Sequence, residues 1–311
     1  MAYPTLNNII RLIALFILLG VAVYIYFLSS TEDSMELKEK ISQLSTNNLA
    51  LPITLSLISY LLRFTRWRII LKQLGHNVSI KNDLMYYLSG FALTMTPGKS
   101  GETIRSAFLL RDQVPFRASL SAFIIERSFD LIIVGLLATL LFIPYIATLL
   151  LFLLALLAIV FIAGYLARRK HHIPKKYLPN FLLRLLIIIS ESSAALKPKA
   201  VFVYALLGCA AWAAQGLGFY YIVSIFYQDI GTLNAISTYC AGLFIGAVSL
   251  IPGGIGVTEG SLSWLLQNQG VDQNSAILSA LISRGCTLWL AVAIGCGALA
   301  AIIKGHSIPK K

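Results

Sequence analysis

The sequence predicts an all-α polytopic membrane protein: six transmembrane helices plus two re-entrant helical hairpins in an inverted repeat, both termini cytoplasmic. Three observations predict it. The 311-residue chain is 58% hydrophobic and 12% charged, with a mean hydropathy of +0.79; soluble domains are roughly 25% charged. Six apolar runs reach the roughly 20 residues needed to cross a bilayer core. Two shorter apolar runs each end at a Pro-Gly turn and resume as a second short helical stretch.

Taken in chain order, the predicted spans are 9–28, 50–71, 118–142, 146–167, 200–226 and 276–303. No small-residue cleavage signal follows the first, which therefore reads as an uncleaved anchor. Residues 31–48 read as a short polar, partly helical outer loop. The hairpins occupy 84–112 and 235–268, each too short on either side of its turn to cross the bilayer. FLLRLLIIISESSAAL (181–196) reads as an amphipathic helix at the inner surface, after the RRKHHIPKK cluster. The chain is expected to form a single integral membrane domain, 1–311, with a first half at 1–143 and an inverted second half at 144–311.

The net charge is +12. In a soluble protein that balance would suggest nucleic acid, but here it sorts by side of the membrane. With the N-terminus inside, the inner positions collect Arg63, Arg66, Arg68, Lys72, Lys81, Arg111, Arg117 and the basic stretches near 170 and 310. The outer loops keep Lys38 and Lys40 among six acidic residues. Such a positive-inside pattern sets orientation in the cytoplasmic (inner) membrane, and no nucleic-acid partner is expected. The 168–176 cluster would attract anionic lipid head groups by about 1 kcal/mol per basic residue, or serve orientation alone.

Cys209, Cys240, Cys286 and Cys296 lie singly in apolar runs, without metal-ligand spacing, and the four histidines fall in basic loops. No metal site and no cofactor are expected. No H-E-x-x-H, G-x-S-x-G or Ser/His/Asp grouping is present, so the chain is not expected to be an enzyme.

The stretch MTPGKSGETIRS (95–106) superficially resembles a nucleotide-binding loop. A Walker loop requires a glycine at the position of Leu93, and a strand before it. A second copy decides the matter. Pro97, Gly98 and Gly101 recur as Pro252, Gly253 and Gly256 at an offset of 155, and the copy replaces Lys99-Ser100 with Gly254-Ile255. With two residues inserted, Glu102 falls on Glu259 and Arg127 on Arg284, so the Glu-to-Arg spacing is 25 in both halves. Proline ends the incoming helix and glycine permits the turn. The free N–H groups opening the returning helix are a natural seat for a carboxylate or phosphate. Inverted repeats with broken helices meeting near the midplane are a transporter signature.

A lone charge at mid-depth costs about 2.5–3.5 kcal/mol on insertion scales, so Arg127 and Arg284 should be paired or wet. The equal spacing proposes the pairs Glu102–Arg127 and Glu259–Arg284, with pairing across the halves open as well. Buried ion pairs that only lock hairpin to span are the alternative, and so is simple capping of the returning helices by Glu102 and Glu259. The first half carries extra charges: Glu126 and Asp130 stand where the second has Ser283 and Thr287, and Lys99 and Arg105 lack charged counterparts. Glu102, Arg105, Glu126, Arg127, Asp130, Glu259 and Arg284 are therefore the candidate substrate-binding residues. Arginines would suit a phosphate, and carboxylates an amine or a coupling proton.

PGKSGETIRSAFLL, the following ERSFD helix, PGGIGVTEG and the second buried arginine resemble the transmembrane region of lysylphosphatidylglycerol synthases, across almost the whole chain. The resemblance implies a bacterial or archaeal inner-membrane protein that moves a phospholipid or a lipid-linked head group between leaflets, with membrane lipids bearing anionic or phosphate head groups as partners. Two-part members add a soluble aminoacyl-transferase domain; with its end at Lys311, this chain is expected to lack that activity. A coupled carrier of a small soluble anion, and a non-transport partner of a lipid- or glycan-building enzyme, are the alternative readings.

Overall fold

The computed structural model describes residues 44–142 and 192–306, with scattered helical positions in 15–42 and 147–162. The expected spans at 9–28 and 146–167, the outer loop, the inner-surface helix and the two termini fall wholly or largely outside the described residues.

Every described element is helical, with no strand among the described residues. The order is α1 (Thr46–Gln73), α2 (Ile80–Gly90), α3 (Ile104–Leu109), α4 (Phe116–Thr139), α5 (Pro198–Phe226), α6 (Thr232–Val248), α7 (Val257–Gln267), α8 (Gln273–Arg284) and α9 (Leu290–His306). Among the described residues three helical stretches are long and apolar enough to cross a membrane: Asn47–Gln73, Pro198–Phe226 and Gln273–Lys304. The 24 residues of α4 span about 36 Å at 1.5 Å per residue, but Arg117, Glu126, Arg127 and Asp130 dilute its apolar character.

The same order of parts recurs. A long helix (α1, α5) leads to a helix broken at a Pro-Gly turn (α2 to α3, α6 to α7), then to a helix bearing the buried arginine (α4, α8). Arg127 and Arg284 are each the twelfth residue of their helices.

Burial follows helical periodicity. On α1 the buried stripe runs through Ser56, Ser59, Tyr60, Arg63, Phe64, Arg66, Trp67, Ile70 and Leu71, the i, i+3/i+4 pattern of a core-facing side. On α4 it runs through Ala122, Glu126, Phe129, Asp130 and Ile133. The polar members of both stripes therefore face protein rather than lipid. α5 packs along α1, and the small Gly208 makes the contact possible: a Cβ there would lie 2.7 Å from Arg66 Nη1 and 2.3 Å from Ile133 Cδ1.

Proline and glycine shape both turns as anticipated, and the correspondence reaches the backbone. After extended Thr96 and Ile251, Gly98 (φ 58°) matches Gly253 (φ 63°), both left-handed. One residue on, Lys99 (φ 56°) matches Gly254 (φ 64°). Gly101 is required by close approach, since a Cβ would sit 2.6 Å from the Leu93 Cβ and 2.8 Å from the Leu93 carbonyl. The two turns meet: Gly253 lies against Met95, and Met95, Ile255, Leu288 and Val292 form a small apolar cluster between them.

The span expected at 276–303 is present as one helical stretch, Gln273–Lys304, but it is not a regular α-helix throughout. Directly after Arg284 the helix widens into a π turn, Gly285–Trp289, before α9 resumes. Single π turns inside α-helices recur at functional sites because they displace side chains from the regular register.

Candidate functional site

Between the two turns and α1, α4, α5 and α8 lies a cavity of about 330 Å³. Arg63, Lys99, Glu102, Arg127, Asp130 and Arg284 line its charged part, beside Tyr60, Thr94, Thr96, Trp212, Gln215 and Thr287. Another wall is apolar: Leu131, Val134, Leu243, Ala247, Leu250 and Ile251. Among the described residues Leu131, Leu250 and Ile251 are exposed to 46%, 66% and 39%, so this wall continues to the molecular surface.

The second-half pair forms as its spacing proposed. Arg284 Nε donates to Glu259 Oε1 at 2.9 Å, and its Nη2 donates to the Gly253 carbonyl at 2.5 Å. The other carboxylate oxygen, Glu259 Oε2, accepts from the Gly256 amide at 2.7 Å. Glu259 thus caps α7 and holds Arg284 at once, and Arg284 ties α8 to the turn.

The first-half pair is looser than the spacing suggested. Arg127 Nη2 is 3.8 Å from Glu102 but 3.1 Å from both Glu126 and Asp130. The reason is the extra charge on α4, which offers Arg127 two nearer carboxylates on its own helix. Glu102 Oε1 instead accepts from Thr94 Oγ1 at 2.8 Å, and its Oε2 has no hydrogen-bond partner among the described residues.

Two arginines expected at the inner surface are in the core. Arg66 is fully buried and donates to Asp130, which also accepts from Trp212 Nε1 at 3.2 Å. Arg63 is 5% exposed, with its guanidinium 4.9 Å from the Trp212 ring centroid and 5.4 Å from that of Tyr60. The cause is helical phase: both positions fall within the expected span 50–71, and on α1 they share the buried stripe with Ser59, Tyr60, Trp67 and Ile70 rather than facing the inner surface. Arg105 donates to Glu126 Oε2 at 2.6 Å over the Trp67 ring, and Tyr87 donates to Glu126 Oε1 at 2.7 Å. Of the residues singled out in the sequence, Arg105 and Glu126 therefore stand behind the cavity, and the others line it or hold what lines it.

Six cations (Arg63, Arg66, Lys99, Arg105, Arg127, Arg284) face four carboxylates (Glu102, Glu126, Asp130, Glu259) in this cluster, an excess of two positive charges. Arg63 and Lys99 form no ion pair with a described residue. The sequence marked neither as part of the site. Helical phase along α1 is the signal that would have found Arg63.

Residues 11–295 match the profile of the lysylphosphatidylglycerol synthase TM region. The chain belongs to that family. The profile describes the membrane region of these synthases, not a catalytic domain. A UPF0104 membrane protein of Pyrococcus horikoshii is 26% identical over 281 residues, covering 79% of this chain and 84% of the relative. Another, from Methanothermobacter thermautotrophicus, is 26% identical over 117 residues, 37% of this chain and 34% of that protein. The alignment thus spans about a third of one relative's length and most of the other's. Membership in the family, with the apolar helices, makes this chain a multi-pass membrane protein.

Proposed function

We propose that this family member is a lipid carrier of the cytoplasmic membrane, moving a phospholipid or lipid-linked head group between leaflets through the cavity between its two Pro-Gly turns. One observation carries the reading: the cavity joins a cationic floor to an apolar wall that reaches the molecular surface through Leu131, Leu250 and Ile251. A head group suits the first, and acyl or prenyl chains suit the second. A soluble anion would need the floor but gain nothing from the wall.

In this reading the broken helices are re-entrant hairpins, the halves 1–143 and 144–311 are inverted copies, and both termini are cytoplasmic. Two mirrored halves exchange inward- and outward-facing shapes at similar energy, as alternating access needs. No covalent chemistry is proposed. Glu102, Arg127, Asp130 and Arg284 would meet the head group, while Arg105, Glu126 and Glu259 would position them.

The test is head-group movement across liposomes carrying the purified chain, with a panel of labelled lipids. Arg284→Ala and Glu259→Gln should abolish movement in protein that still inserts. A folded wild-type protein that moves no lipid in the panel would sink the reading. Movement that survives both replacements would instead favour a structural role for the pair.

A further inference from the structure

We propose that the cavity recognises a phosphate monoester in its doubly charged form, with Arg63 and Lys99 as the cations that hold it. The inference rests on the lipid-carrier reading for the source of the ligand, and on the charge arrangement alone for its class.

Each of the four carboxylates in the cluster is engaged by an arginine: Asp130 by Arg66 and Arg127, Glu126 by Arg105 and Arg127, Glu259 by Arg284, with Glu102 nearest Arg127. Two positive charges remain, and both line the cavity. Arg63 is 5% exposed, rests on aromatic faces rather than on a carboxylate, and has no hydrogen-bond partner for Nε among the described residues. An uncompensated ionised side chain at membrane depth is costly, and such groups mark substrate paths.

Lys99 gives an independent indication. It adopts φ 56°, a left-handed conformation that disfavours any residue with a Cβ. The duplicate turn places Gly254 at the equivalent position with φ 64°. The first turn therefore keeps a strained lysine where its own copy shows that glycine fits. Backbone strain of this kind persists where the side chain has a function, and here the ammonium lies beside the cavity.

A ligand of charge −2 neutralises the excess. A phosphodiester leaves one cation uncompensated and a zwitterionic head group leaves both. Arginine supplies a planar fork and lysine a point charge, both suited to phosphate oxygens. The same chemistry could reach the cavity on a lipid or as free phosphate.

The full-length chain in liposomes distinguishes these sources. Translocation of phosphatidic acid and of a long-chain alkyl monophosphate is compared with that of phosphatidylglycerol, alongside uptake of radiolabelled inorganic phosphate. The monoester lipids should move at least about tenfold faster than the diester, the discrimination expected from one charged hydrogen-bonding pair. That preference should shrink as pH falls through the second phosphate ionisation at about 6. Lys99→Gln and Arg63→Gln should lower the monoester rate to that of the diester, with folding checked by thermal unfolding in detergent. Because either variant could unfold, the wild-type ratio decides. Equal monoester and diester rates would overturn the inference and leave the lipid-carrier reading intact. Uptake of inorganic phosphate without lipid movement would uphold the monoester site and overturn the lipid source. Movement of no phosphate species would overturn both.

Discussion

Glu259 serves Arg284 and its own helix with separate oxygens: Oε1 accepts from the guanidinium at 2.9 Å while Oε2 caps α7 through the Gly256 amide at 2.7 Å. The pair is nearly fully buried, at 5% and 1% side-chain exposure. Removing one partner of such a pair leaves an uncompensated buried charge. Glu259→Ala is expected to destabilise by about 3–5 kcal/mol, read as a loss of thermal stability in detergent. The double variant Glu259→Ala/Arg284→Met should lose much less than the sum of the single changes. Additive losses would mean that the two side chains are not coupled.

The matching position in the first half behaves differently. Glu102 keeps a hydrogen bond from Thr94 but sits 3.8 Å from Arg127, which retains Glu126 and Asp130 at 3.1 Å. Glu102→Ala should therefore cost less, about 1.5–3 kcal/mol, the scale of one hydrogen bond to a charged group. Equal losses at 102 and 259 would show that the halves carry their charges alike.

What the sequence made legible, and what it hid, divides along these two sites. The Pro-Gly turns and the Glu259–Arg284 pair were readable because charges are rare in this chain and the repeat fixes their register. Arg66–Asp130 was not readable. Arg63, Arg66, Arg68 and Lys72 form an ordinary inner-loop cluster by composition, and only the phase of α1 separates the buried Arg63 and Arg66 from the exposed Lys72. The competition of Glu126 and Asp130 for Arg127 depends on side-chain reach along one helix turn, which spacing alone leaves open. The π turn after Arg284 has no sequence signal beyond a glycine, since its apolar residues suit a regular helix equally well.

The first turn offers two contrasting glycine replacements. Gly101→Ala would press a methyl group to 2.6 Å from the Leu93 Cβ and 2.8 Å from its carbonyl. Overpacking of that kind costs about 1–3 kcal/mol. Gly98→Ala meets open space but must hold φ 58°, a penalty of about 1–2 kcal/mol from backbone conformation alone. Thermal unfolding should show both losses. Further enlargement to valine should worsen position 101 by more than enlargement from alanine to serine worsens position 98.

One pH-dependent contact lies outside the spans. Asp272 caps α8 through the Ser275 amide at 2.9 Å and accepts from Lys40 at 2.5 Å. Partial burial raises its pKa, but the hydrogen bonds from Lys40 and Ser275 outweigh it and hold the carboxyl below its usual range. A carboxylate depressed in the folded state stabilises fully above its unfolded pKa of about 3.9 and loses that contribution as pH falls through the folded value. Stability should therefore decline at acidic pH by an increment that Asp272→Asn removes. Asparagine keeps the cap and loses the ion pair. An unchanged acid slope in the variant would assign the pH response elsewhere.

If lipid passes through the cavity between the turns, Ala247→Trp should block it. Ala247 lines the apolar wall and touches none of the charge pairs. An indole there would fill much of the roughly 330 Å³ space while leaving the cationic floor unaltered. The measurement is labelled-lipid movement across liposomes with wild-type and variant protein at equal insertion and thermal stability. Wild-type protein should move lipid and Ala247→Trp should not. Undiminished movement by the variant would contradict passage through the cavity.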